Sequence, residues 1–103
     1  MVMTTTDKRK VADAIAKSLV KKRLAACVQV LGPITSTFTW KSKLGTGKEW
    51  LLLIKSRGSA YKKIEKEITR IHNYELPEII QVPITTGSTG YLKWIDESTK
   101  AMK

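Results

Sequence analysis

The spacing of apolar positions along this chain changes several times, and each change predicts an element. VMTTT (2–6) has the β-branched content of a strand. From Asp7 the period lengthens: Val11, Ile15 and Leu19 recur every four residues beside Ala12 and Ala16, while Lys10, Asp13, Lys17 and Lys21 take the other side. That pattern predicts an amphipathic helix with a threonine as N-cap, an Asp13–Lys17 attraction at i,i+4, and lysines in the last turn, where the helix dipole favours cations. AACVQVL (25–31) predicts a second strand stopped by Gly32-Pro33, and STFTWKSK (36–43) a third, alternating, with Phe38 and Trp40 on the inward face. LGTGK (44–48) is the expected hairpin turn, and EWLLLIKS (49–56) the returning strand. Tyr61, Ile64, Ile68 and Ile71 make one stripe of a helix running from Ser59. EIIQVPI (78–84) is the last strand, and Gly87-Ser88 opens a short helix carrying Tyr91, Leu92, Trp94 and Ile95. The order β-α-β-β-β-α-β-α, one domain over residues 1–103, predicts an α+β ferredoxin-like (split βαβ) sandwich with an extended middle hairpin.

One strand carries more apolar surface than a single subunit can use. In EWLLLIKS, Trp50, Leu52 and Ile54 point one way and Leu51 and Leu53 the other. A two-layer sandwich covers one sheet face with helices and leaves the other wet, so a strand apolar on both faces implies a second covering layer. Another copy of the chain is the economical source, with Trp50, Leu51 and Leu53 as the expected subunit-interface residues.

Composition narrows the class. A chain of 103 residues with 42% hydrophobic residues builds one core without staples, and a single cysteine, Cys27, excludes an internal disulfide and a four-cysteine zinc cage. Neither a signal peptide nor a membrane span is expected, which points to a soluble, cytoplasmic protein. Nineteen Lys and Arg against nine Asp and Glu leave a net charge of +10, mostly as a solvating lysine coat, with an anionic partner as the other reading.

Candidate chemistry is sparse, and no enzyme is expected. GTGK (45–48) lacks the first glycine and the Ser/Thr of a phosphate loop, and a strand follows it, so it is a turn. Cys27 sits mid-strand between Ala26 and Val28, the setting of a packed thiol. The stretch HNYELPEIIQVP (72–83) holds the only histidine, His72, and two carboxylates flanking Pro77. Proline pushes Leu76 into extended chain, so Glu75 and Glu78 are expected to diverge and not to act as an acid/base pair. His72 follows Ile71 at a helix end, where an imidazole meets terminal carbonyls or, with donors from neighbouring subunits, a metal.

These stretches together resemble the CutA family of divalent-cation tolerance proteins: RLAACVQVLGPITSTFTWKSK, EWLLLIKSR, HNYELPEIIQVPI and YLKWIDEST, covering roughly residues 2–99 in order. The resemblance implies a ferredoxin-like subunit in an intertwined, PII-like homotrimer linked to copper and other divalent cations, with no enzymatic reaction and no required cofactor. By its pattern the metal-ligand positions fall at Met3, Ile71 and His72, which makes His72 the candidate ligand and Met3 a weaker, soft one; Asn73 and Gln29 also depart from the pattern. The implied function is weak divalent-cation binding, copper foremost. A PII-like sensor would instead hold an anionic metabolite in an inter-subunit cleft, with Lys55 or Arg57 as anchors and Tyr74, Glu75 and Glu78 alongside. RNA binding on the sheet is disfavoured, since the central strands are expected to expose threonines, lysines and leucines in place of stacking aromatics.

Overall fold

The computed structural model describes residues 1–100. Strands β1 (Val2–Thr6), β2 (Cys27–Trp40), β3 (Lys43–Lys55) and β4 (Ile79–Gln81) form one antiparallel sheet in the order β2-β3-β1-β4. Helices α1 (Arg9–Lys21) and α2 (Tyr61–Ile71, entered through a 3-10 turn at Gly58–Ala60) supply buried residues to one core, and α3 (Thr89–Ser98) closes the described chain. No helix among the described residues is long and apolar enough to cross a membrane.

The apolar stripes do what their periods predict. Ala12, Ile15 and Leu19 of α1 and Ile64 and Ile68 of α2 are fully buried, against Val2, Leu52 and Ile54 of the central strands. Cross-strand register places Val2 opposite Ile54 and Thr4 opposite Leu52, so this is one face of the sheet. The other face carries Met3, Thr5, Leu51 and Leu53, continued outward by Leu31 on β2 and Ile80 on β4. Leu31 and Ile80 are more than two-fifths exposed. Trp50 does not belong with them: it shares the face of Leu52 and Ile54 and packs against the helix-covered core. Its assignment to the open interface face is therefore corrected by the two-residue alternation of its own strand.

Several local expectations change. AACVQVL and STFTWKSK are one continuous strand, because Gly32-Pro33 forms a bulge, with the pairing stepping from Leu31↔Leu51 to Ile34↔Glu49. The hairpin turn falls at Lys41-Ser42 instead of LGTGK, both residues in the left-handed region (φ 51° and 66°) between the paired Trp40 and Lys43. Gly45 is inside β3, facing Phe38, whose ring would lie 3.2 Å from any added Cβ. Helix α1 has no side-chain N-cap, since the Thr6 hydroxyl accepts from Lys8 N–H before the helix begins, and Asp13 pairs with Arg9 rather than Lys17. The last strand keeps only Ile79–Gln81 in the ladder, with one further exchange between Met1 and Val82. Residues 82–90 are exposed throughout.

The bulge matters for shape. Beyond it, residues 34–49 leave the sheet as a two-stranded arm, and the molecule extends 46 Å in its longest direction. Phe38 and Trp40, expected inward, are nearly half exposed there, because neither helix reaches the arm to cover them.

Candidate functional site

A hollow of about 900 Å³ opens between the arm and the loop joining α2 to β4. Its walls include Thr5 and Asp7 at the end of β1, Lys48 and Glu49 of β3, Phe38 and Trp40 of the arm, and Asn73, Tyr74, Glu75 and Glu78 of the loop. The chain bends at residues 74–76. Glu75 and Glu78, expected to diverge along extended chain, thus border the same hollow.

Three side chains of the loop fix its position. Asn73, a departure from the family pattern, accepts at Oδ1 from the Thr6 hydroxyl (2.6 Å) and donates from Nδ2 to Asp7 (2.8 Å), tying the loop to the end of β1. Tyr74 donates its hydroxyl to Glu49 Oε2 at 2.6 Å, bridging the loop to the base of the arm. Burial, and then the Glu49 carboxylate beside it, push the Tyr74 phenol well above its ordinary range. His72 Nε2 lies 2.7 Å from the Thr5 carbonyl oxygen, and Nδ1 lies 3.0 Å from Tyr74 N–H. A carbonyl can only accept and an N–H can only donate, so Nε2 carries the proton and Nδ1 spends its lone pair on the backbone. The ring thus binds β1 rather than the carbonyls of its own helix end. A metal ion needs a free imidazole lone pair, and His72 supplies one only by releasing Tyr74 N–H.

The remaining candidates are spread along the molecule. Met3 lies on the open sheet face beside Leu53, and does not line the hollow. Among the described residues no three His, Cys, Asp or Glu side chains come close enough to form a metal cage. Lys55 is at the opposite end of β1, paired with Cys27, donating to Gln29 Oε1 at 3.0 Å and lying 6.0 Å from the Tyr91 ring. It is not brought together with Tyr74, Glu75 and Glu78: the five-residue length of β1 lies between. Arg57 spends its guanidinium on the Thr99 hydroxyl (2.9 Å) and carbonyl (2.8 Å).

Glu67 is a further charged residue with a structural role that its sequence neighbourhood of lysines conceals. It is a nearly buried carboxylate between the helices, receiving the Ser18 hydroxyl, Lys22 at 2.9 Å and Arg70 at 2.6 Å. The available signal was its position between Ile64 and Ile68, where α2 turns inward.

The profile of the CutA1 divalent ion tolerance protein family matches residues 1–98. The divalent-cation tolerance protein CutA of Thermus thermophilus is 38% identical over 99 residues, 96% of each chain. Its solved structure has a TM-score of 0.93. The periplasmic divalent cation tolerance protein CutA from Archaeoglobus fulgidus has a TM-score of 0.92 at 34% identity, over 96% of each chain. The human protein CutA is 37% identical over 98 residues, and this chain spans 55% of its length.

Proposed function

The chain belongs to the CutA1 divalent ion tolerance family, and from that premise we propose that it is a non-enzymatic, PII-like homotrimer that binds divalent cations weakly, copper foremost. The observation that carries the cation reading is the placement of charge. On a chain of net charge +10, Asp7, Glu49, Glu75 and Glu78 collect around one hollow, with Lys48 the lysine on its wall. A cation is drawn there against the sign of the whole molecule.

Affinity stays low for two reasons. One chain offers no ready group of three ligands among its described residues, so donors must come from a neighbouring subunit or from rearrangement. The one nitrogen ligand nearby, His72, must first give up its bond from Tyr74 N–H. Cu(II) heads the divalent affinity order and gains most from an imidazole, which ranks it above Zn(II) here. Met3, on the open sheet face and outside this hollow, is a weaker soft donor for a separate contact.

Calorimetry near neutral pH tests this. Cu(II) should bind the parent with a Kd of about 1 µM or weaker, and Zn(II) more weakly still. His72→Ala should lower copper affinity by about tenfold or more, and Glu75→Gln with Glu78→Gln should lower it further. Copper affinity unchanged in all variants would place the site elsewhere; no binding by the parent would mean that this chain keeps the scaffold without the metal.

A further inference from the structure

We propose that the outward face of the two-helix layer is a docking surface for the phosphate backbone of duplex nucleic acid, read without regard to sequence. On α1, Lys10, Lys17 and Lys21 are spaced i, i+7, i+11, which places them on one side of the helix, and all three are exposed. On α2, Lys63, Lys66 and Arg70 are spaced i, i+3, i+7 and are exposed likewise. The carboxylates of these helices are already engaged: Asp13 with Arg9 (3.1 Å), Glu65 with Lys62 (3.9 Å), and Glu67 with Lys22 (2.9 Å) and Arg70 (2.6 Å). Among the described residues, Lys10, Lys17, Lys21, Lys63 and Lys66 have no acidic partner within 4.0 Å.

The positive charge is therefore directional. Anionic side chains gather at the hollow beside the arm, whereas on the helix layer Asp13, Glu65 and Glu67 are each paired with another cation and leave these lysines in excess. The chemistry of the face selects among anions. A small metabolite needs a concave polar cradle. The shallow hollow that this face borders has Lys17 and Lys21 beside Ala16, Val20 and Val28, so its floor is apolar and it offers two flexible cations in place of a polar cradle. A lipid surface favours large apolar or aromatic side chains to insert beside the lysines. On these helices Val20 is the one large hydrophobic residue that is exposed. An extended polyanion asks for neither. The α1 stripe from Lys10 to Lys21 spans about 16 Å at 1.5 Å per residue, enough to follow several phosphates of a duplex carrying one charge per roughly 1.7 Å. Lysines meet phosphates as point charges and read bases poorly, so steep salt dependence and little sequence preference follow. This surface lies opposite the open sheet face, and its use does not depend on the cation reading.

Fluorescence anisotropy of the full chain with a labelled DNA duplex of about two helical turns tests the proposal. Binding should appear at about 50 mM salt and fall at least tenfold by about 200 mM, with equal affinity for a scrambled duplex. The triple variant Lys17→Glu, Lys21→Glu, Lys66→Glu should lose at least tenfold in affinity at the lower salt, while circular dichroism shows an unchanged fold. A control with the same charge change elsewhere, Lys41→Glu, Lys43→Glu, Lys93→Glu, should lose much less. Equal losses in the two triple variants would overturn the proposal in favour of diffuse net charge. Absence of duplex binding by the parent would overturn it in favour of a solvated coat, and binding to phosphatidylserine vesicles without duplex binding would overturn it in favour of a membrane.

Discussion

Single side chains at two places hold elements together that the chain order keeps far apart. His72, Asn73 and Tyr74 fasten the α2–β4 loop to β1 and β3, each through a bond to a residue at least 25 positions away. Glu67 fastens α2 to α1 through Ser18 and Lys22. The Arg70 and Lys22 cations and the Ser18 hydroxyl hold the Glu67 carboxyl far below its ordinary value, so folding favours the ionised form. A depressed carboxylate contributes stability that is complete above its unfolded value, near 4.3, and is lost as pH falls toward the folded value. Glu67→Gln should therefore lower the melting temperature by roughly 4–8 °C near neutral pH, and by progressively less below about pH 4. Thermal melts across the acid range measure this directly; a mutant deficit that persists undiminished into strong acid would exclude the charge as its cause. Little of this was legible in the sequence. One histidine in a chain suggests a ligand, but only the fold shows Thr5 and Tyr74 taking both ring nitrogens. Likewise, a glutamate among lysines looks like surface until α1 is laid against α2.

Elements follow their apolar period more faithfully than their punctuation. Both long helices and the buried stripe Leu52–Ile54 are where their spacing puts them, because burial on a common face is decided by period alone. Glycine and proline misled in opposite directions. Gly32-Pro33 suggested a strand end, yet it is a bulge within β2: Gly32 has φ 149°, and a Cβ there would approach Glu49 O and Trp50 Cδ1 to 2.9 Å. Gly45 and Gly47 suggested the turn, yet Gly45 makes room for Phe38, and two non-glycine residues take the left-handed positions. A two-residue turn with both central φ positive favours Asn-Gly, which avoids the clash that Lys41 and Ser42 accept. Lys41→Asn with Ser42→Gly should accordingly stabilise the arm, by about 0.5–1.5 kcal/mol in urea unfolding. The reverse sign would mean that the arm tip is held by a contact beyond its own turn. Gly32→Val should act oppositely, destabilising by about 1–3 kcal/mol, since neither its φ nor the space beside Trp50 admits a branched side chain.

At the scale of the whole molecule, what stands out is surface that one chain leaves uncovered. Met3, Leu51 and Leu53 form an apolar band on the sheet face away from the core, flanked by the exposed Leu31 and Ile80. The arm repeats the problem, because a two-stranded ribbon standing alone in water is marginal, and this one carries Phe38 and Trp40 nearly half exposed. Both features would have the same remedy in the proposed trimer, if the open faces met one another and the arms packed against neighbouring subunits. The two-faced EWLLLIKS strand made the band legible in the sequence, whereas the arm's exposed aromatics were not, since alternation gives the side of a strand and says nothing of where the sheet ends. A lysine at 51 and 53 would place two charges per chain in the middle of that contact while leaving the helix-covered core untouched. Isolated charges buried at an interface cost several kcal/mol each unless paired, and three subunits meeting at one axis would bring like charges together. Leu51→Lys with Leu53→Lys should therefore shift sedimentation from a trimer to a monomer that keeps its helical circular dichroism. A double variant that sediments as an intact trimer would show that this face is not where the copies meet, and would leave the arm and the exposed 82–90 segment to hold them.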